Sequence, residues 1–125
     1  MEKKIISLPG GSGQKLPFSP AVVYGSMVFV SGQIGRDETG KLHDESFEAQ
    51  VVQTMKNVQN ILELAGSSFD KVLKITVYLA DFDLFKEFNE IYRGYFEGDF
   101  PARTTFQVGR LGPGVLIEID AVAHT

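Results

Sequence analysis

Two charged residues stand in stretches that otherwise read as interior. Arg103 sits at the mouth of an apolar strand in Phe100-Pro101-Ala102-Arg103-Thr104-Thr105-Phe106-Gln107-Val108, two residues after a proline. Glu118 interrupts the most hydrophobic run of the chain, Val115-Leu116-Ile117-Glu118-Ile119-Asp120-Ala121-Val122-Ala123. Charge in such places demands a partner or a use, because its burial is costly. A guanidinium is permanently ionised and presents a rigid fork that fits a carboxylate through two parallel hydrogen bonds. Glu118 and Asp120 are two apart and so share one face of a strand. Paired carboxylates carry out general acid–base work when one of them has a raised pKa. Two readings are open. Arg103 forms a structural ion pair with Glu118 or Asp120 on a neighbouring strand, or it grips the carboxylate of a small molecule while Glu118 manages protons. Asp120 on its own reads as a structural charge.

Ser31 and Thr105 are candidate hydroxyl donors, expected on the same side of the sheet, with no histidine near either in sequence to activate it. The two histidines, His43 and His124, are far apart in sequence and read as surface residues. No metal-ligand spacing and no serine-type triad can be assembled from them. The chain has no cysteine, which removes thiol catalysis, thiolate metal sites and disulfides.

The elements that must carry these residues follow from periodicity. Short strands are expected at Lys4–Ser7, Val22–Tyr24 and Met27–Ser31, the last two joined by a Gly25-Ser26 hairpin turn. Pro9-Gly10-Gly11-Ser12-Gly13-Gln14 reads as a loop, since it lacks the Lys-Ser/Thr of a phosphate loop. Phe18, between Pro17 and Pro20, is an aromatic that could line something. From Ser46 to Ala65 apolar residues recur at helical spacing, with Gly66 as the stop. A strand follows over Phe69–Ala80, then a helix over Leu84–Phe96, capped by Asp83, with Phe85, Phe88, Tyr92 and Phe96 as its buried face. Asn89 reads as an ordinary polar position on that helix. The last strands are Arg103–Val108 and Val115–His124.

The order β-β-β-α-β-α-β-β predicts an α+β fold with two helices on one face of a sheet. In the last strand Val115, Ile117, Ile119, Ala121 and Ala123 should face the helices. In the strand before it, Thr104, Phe106 and Val108 are expected inward, and Arg103, Thr105 and Gln107 outward. The outward face is too apolar for free solvent and too polar for a core, which suits a subunit interface with polar pockets in a closed oligomer.

Length and composition narrow the function classes. The 125 residues fit one domain, residues 1–125, and 43% hydrophobic with 22% charged residues is an ordinary globular balance. A net charge of -4 argues against a nucleic-acid partner. No stretch is long and apolar enough for a signal segment or a bilayer span, so a cytoplasmic chain without a membrane partner is expected.

Ser31-Gly32-Gln33-Ile34, Asn89-Glu90-Ile91-Tyr92, Phe100-Pro101-Ala102-Arg103-Thr104 and Ile117-Glu118-Ile119-Asp120-Ala121-Val122-Ala123 resemble, in this order, the signatures of the reactive intermediate deaminase (Rid) family, also called YjgF-like or L-PSP. The resemblance spans essentially the whole chain. It implies a chorismate-mutase-like subunit and a homotrimer whose sheets form a central barrel, with sites in clefts between subunits. The implied activity is cofactor-independent hydrolysis of 2-imino acids, such as 2-iminobutanoate and the product of 2-aminoacrylate, to 2-keto acids and ammonia. By that resemblance Arg103 would hold the substrate carboxylate and Glu118 would orient or activate water, while Ser31, Gly32, Asn89, Thr105 and Phe18 would line the pocket. Two positions depart from the pattern: many members carry cysteine where Thr105 stands and tyrosine where Phe18 stands. The family also includes members described as endoribonucleases and apparently non-catalytic ones. A trimeric binding or chaperone-like module is thus the alternative, and a ribonuclease a third.

Overall fold

The computed structural model describes residues 1–9 and 16–125, so the expected loop at Gly10–Gln14 lies outside the described residues. The order of elements is β1 (Lys4–Ile6), β2 (Ala21–Tyr24), β3 (Met27–Gln33), α1 (Phe47–Leu64), β4 (Val72–Leu79), α2 (Phe85–Tyr92), β5 (Ala102–Gln107) and β6 (Ile117–His124). Strands run in the order β1-β2-β3-β6-β4-β5, which places the Arg103 strand at one edge and the Glu118 strand inside. β4 and β5 are parallel, joined across α2, and the other pairings are antiparallel. This is the α+β arrangement that periodicity predicts.

α1 begins where Ser46 accepts a hydrogen bond from the Ala49 N–H, and ends just before Gly66 at φ +81°. Its apolar stripe, Val51, Met55, Val58, Ile61 and Leu62, packs into one core with Val28, Ile75, Val77, Leu79, Ile117 and Ile119. α2 adds the fully buried Phe88 and the almost fully buried Tyr92. α2 is shorter than the spacing suggests. Turns of 3₁₀-helix at Phe82–Leu84 and Arg93–Tyr95 flank it; Asp81 caps the first turn, its carboxylate accepting from the Asp83 N–H, and α2 itself starts after Leu84 with no side-chain cap bond. Asp83 itself lies inside the first of these turns. A third 3₁₀ turn, Phe69–Lys71, occupies the start of the expected fourth strand. Among the described residues no helix is long and apolar enough to cross a membrane.

One expectation about side-chain direction is inverted. Parallel pairing aligns Arg103 with Ile75, Thr105 with Val77 and Gln107 with Leu79, and those three β4 residues are fully buried under the helices. Arg103, Thr105 and Gln107 therefore share the helix-covered side, while Thr104 and Phe106 point to the bare side, where Phe106 is 40% exposed. The alternation of β5 alone suggests the reverse because its most apolar residue is Phe106. The register with β4 decides otherwise. For β6 the expectation holds: Ile117, Ile119, Ala121 and Ala123 are buried, and Glu118, Asp120 and Val122 lie on the bare face.

Candidate active site

The inversion of β5 separates the candidate residues into two groups on opposite faces of the sheet. On the helix side Arg103 projects from the edge strand against α2. Its Nη2 donates to Asn89 Oδ1 at 2.6 Å. Its guanidinium carbon lies 4.8 Å from the ring centre of Tyr92, 5.3 Å from that of Phe88 and 5.8 Å from that of Phe85. Helical spacing places Phe85, Phe88, Asn89 and Tyr92 on one face of α2, so the stripe that reads as core packing is also the seat of the arginine. Beside it is a cleft of about 210 Å³ lined by Asn89, Tyr92, Arg93, Phe100, Pro101 and Arg103. Phe100 stacks on Tyr92, with ring centres 6.2 Å apart and planes at 19°.

Among the described residues Arg103 has no carboxylate partner. The ion pair with Glu118 or Asp120 is not formed, because β4 lies between their strands and the side chains point to opposite faces. Burial draws the guanidinium pKa down from its usual value, opposed by the nearby Tyr92. The fork is held by an amide oxygen and aromatic faces, and none of these supplies negative charge.

Two hydroxyls in this region are buried without a hydrogen-bond partner, Tyr92 Oη and Thr105 Oγ1. Burial pushes the Tyr92 phenol up to about 12, so it remains a neutral donor. Thr105, two residues along β5 from Arg103, shares its face but not that of Glu118.

The second group lies on the bare side. β3 and β6 slip register between Val30 and Gln33, so Ser31-Gly32 forms a bulge opposite the Glu118–Asp120 part of β6. Gly32 is there because its neighbour leaves no room: a Cβ at this position would collide with Glu118 Oε2. Ser31 ties down the segment before β2 with two bonds, N–H to the Pro20 carbonyl at 2.9 Å and Oγ–H to the Ser19 carbonyl at 2.6 Å. Phe18 adjoins this tether and is 60% exposed. Burial, and then the charge of Asp120, raise the Glu118 pKa above the ordinary carboxylate value. Asp120 in turn accepts from Tyr78 Oη at 2.6 Å.

The structure thus brings Arg103 together with Asn89, with Thr105 on the same face, and brings Glu118 together with Gly32, near Ser31 and Phe18. It does not bring the two groups together within one subunit. Tyr92 and Asp120 stand in the quoted signatures, which assign them no pocket role, and Tyr78 joins the site without any motif that marks it. Only the two-residue alternation of β4 carries a signal for Tyr78.

The profile of the family described as endoribonuclease L-PSP matches residues 13–125. The chain belongs to that family. Within the L-PSP family it is 42% identical over 122 residues to the human protein named 2-iminobutanoate/2-iminopropanoate deaminase, covering 97% of this chain and 89% of that one. It is 46% identical over 110 residues to a RutC family protein of Aquifex aeolicus, covering 86% of this chain and 87% of that one. The crystal structure of E. coli TdcF with bound serine superposes with a TM-score of 0.88 at 35% identity, covering 98% of each chain. The L-PSP match includes both halves of the divided site, from the Ser31-Gly32 bulge to Glu118.

Proposed function

We propose that this chain is a cofactor-independent deaminase that hydrolyses small 2-imino acids to 2-keto acids and ammonia. Residues 1–125 would act as one domain of a chorismate-mutase-like homotrimer. The observation that carries the reading is Arg103. It is a desolvated guanidinium at the edge of a cleft, fixed by Asn89 and three aromatic rings and lacking a countercharge. Such a fork is ready to receive a carboxylate through two charge-assisted hydrogen bonds. The names of the deaminase relatives point the same way.

The chemistry asks little of the protein. An imine carbon is already electrophilic, so positioning and proton transfer suffice. With Arg103 holding the carboxylate, C2 of the substrate is presented to a water at Glu118. The substrate reacts as its iminium: as the water oxygen bonds to C2, Glu118 accepts one of its protons and the C=N electron pair moves to nitrogen, giving the neutral amine of a tetrahedral carbinolamine. Glu118 returns that proton to the nitrogen, the C–N bond breaks, and ammonia leaves as Glu118 takes the remaining hydroxyl proton and the C2 carbonyl forms; the proton then passes to ammonia or solvent. Water enters, ammonia departs, and the carboxylate group stays on Arg103 throughout. A carboxyl whose pKa is raised toward neutrality suits both halves of this shuttle.

Because Arg103 and Glu118 lie on opposite faces of one subunit, a complete site needs Arg103 of one copy and Glu118 of the next. The bare sheet face supports a covering copy. It exposes Ile5, Tyr24, Phe29 and Phe106, with Phe29 at 48% and Tyr24 at 51%. Exposed apolar surface of this kind marks an interaction site.

The test is a coupled assay. A pyridoxal-phosphate dehydratase generates 2-iminobutanoate or 2-aminoacrylate, and keto-acid release is followed with the wild type, Arg103→Ala or Glu118→Gln. Acceleration by the wild type that is lost in both variants is expected, with 2-keto acid binding retained in Glu118→Gln. Equal rates with and without the wild-type protein would contradict the reading.

A further inference from the structure

Glu118 does not stand alone on the bare face. Asp120 follows it on the same side of β6, and the antiparallel register places Tyr78 opposite Glu118 and Thr76 opposite Asp120. Tyr78 reaches diagonally across this ladder and donates its hydroxyl to Asp120 Oδ2 at 2.6 Å. Its ring is braced edge-on by Phe106 of β5, with centroids 5.2 Å apart and planes at 72°. Asp120 is therefore fixed in direction.

On the other side the Glu118 carboxylate occupies the space that a Cβ of residue 32 would fill, so its place there relies on Gly32. From β3 the nearest residues are Ser31 and Gly32 of the bulge, neither of which is charged, while Gln33 pairs with Ile119 on the helix side. From β4 they are Tyr78 and Thr76. Lys74 is further along β4, its Nζ turned to Thr104 Oγ1 at 3.0 Å, and His124 lies at the far end of β6, bonded through Nδ1 to the Thr125 carbonyl. No cation is paired with either carboxylate among the described residues.

Resting on the deaminase reading of Glu118, we infer that Asp120, held by Tyr78, is a positioning residue for the proton chemistry: its fixed negative charge makes Glu118 a stronger base. Without that charge Glu118 would be a weaker base toward the attacking water. Asp120 touches no reacting atom in this scheme, and its effect reaches the reaction only through Glu118. Burial first, and the charge of Asp120 second, raise the Glu118 pKa above the ordinary carboxylate value.

The decisive experiment titrates Glu118 directly. The side-chain carboxyl carbons of glutamate are labelled with ¹³C, the Glu118 signal is assigned by its loss in Glu118→Gln, and its midpoint is followed by NMR in wild type, Asp120→Asn and Asp120→Glu. Asparagine keeps an oxygen that accepts from Tyr78 but removes the charge. Glutamate keeps the charge at the cost of a longer reach. The Glu118 midpoint is expected to fall in Asp120→Asn, as the like charge is removed, and to return toward the wild-type value in Asp120→Glu. The ascending limb of the kcat–pH profile should move to lower pH in Asp120→Asn by the same amount. An unchanged midpoint in Asp120→Asn, or the same fall in Asp120→Glu, would overturn the inference. A shifted midpoint in a protein that accelerates no imine hydrolysis would uphold the electrostatic coupling and refute the deaminase reading, so the two failures are distinguishable.

Discussion

Arg103 and Tyr92 show how one contact serves stability and function differently. The Tyr92 ring supplies a flat, polarisable seat for the guanidinium, which depends on the aromatic face and not on the hydroxyl. That hydroxyl is buried and makes no hydrogen bond among the described residues, so the fold carries its desolvation cost without return. Tyr92→Phe is therefore expected to stabilise the protein by about 1 kcal/mol, read as a higher urea midpoint, with Arg103-dependent binding of 2-keto acids retained. A lower midpoint would show that Tyr92 Oη has a partner after all. The residue scale also shows what motifs leave unsaid. Pro101-Ala102-Arg103 and Glu118 are conspicuous as charges in apolar runs, and alternation places Glu118 on its face, yet nothing in the first run states which face Arg103 takes. β5 is an edge strand whose two faces differ little in polarity, and its direction is imposed by pairing with β4.

At the scale of elements, the polar edge of α1 aligns the parts of the site on the bare face. Gln50, 1% exposed, donates from Nε2 to the Gly114 carbonyl at 2.8 Å and accepts through Oε1 from the Leu116 N–H at 2.9 Å, so it fixes the entry of β6 two residues before Glu118. Asn57, two turns along, donates to the carbonyls of Ile34 and Arg36 at 2.8 and 2.7 Å and so fixes the chain just after the Ser31-Gly32 bulge. Gln50→Leu keeps the volume but takes the partner from the Leu116 N–H and the Gly114 C=O, which meet the fully buried Gln50 side chain. A loss of roughly 2–4 kcal/mol is expected from two unpaired groups, measured by denaturant unfolding, and a loss under 1 kcal/mol would show that water replaces the amide. The helix itself is legible from its period and cap because local signals agree over five turns. The glutamine's role is not, since a polar residue on a helix reads as exposed until the loop that it meets is known. The end of α2 is likewise hidden: Phe96 continues the apolar spacing, but Gly94 lies in a 3₁₀ turn and the stripe outlasts the α-helix.

At the scale of the whole molecule, the sheet order explains why Arg103 and Glu118 of one subunit do not meet. β4 lies between the strands of Arg103 and Glu118, and the two side chains leave the sheet in opposite directions. The order of motifs along the chain is open to reading, whereas this separation depends on a parallel register between β4 and β5 that no local pattern encodes. A site completed across copies makes a prediction that no single-subunit site can satisfy. Arg103→Ala and Glu118→Gln, each inactive alone, are unfolded together, refolded as mixed oligomers and assayed for imine hydrolysis. In a closed ring of three, each mixed assembly regains one junction that joins an intact Arg103 to an intact Glu118, so an equal mixture should recover roughly a quarter of the wild-type rate. A mixture as inactive as its two components, with subunit exchange verified by mass, would contradict the shared site.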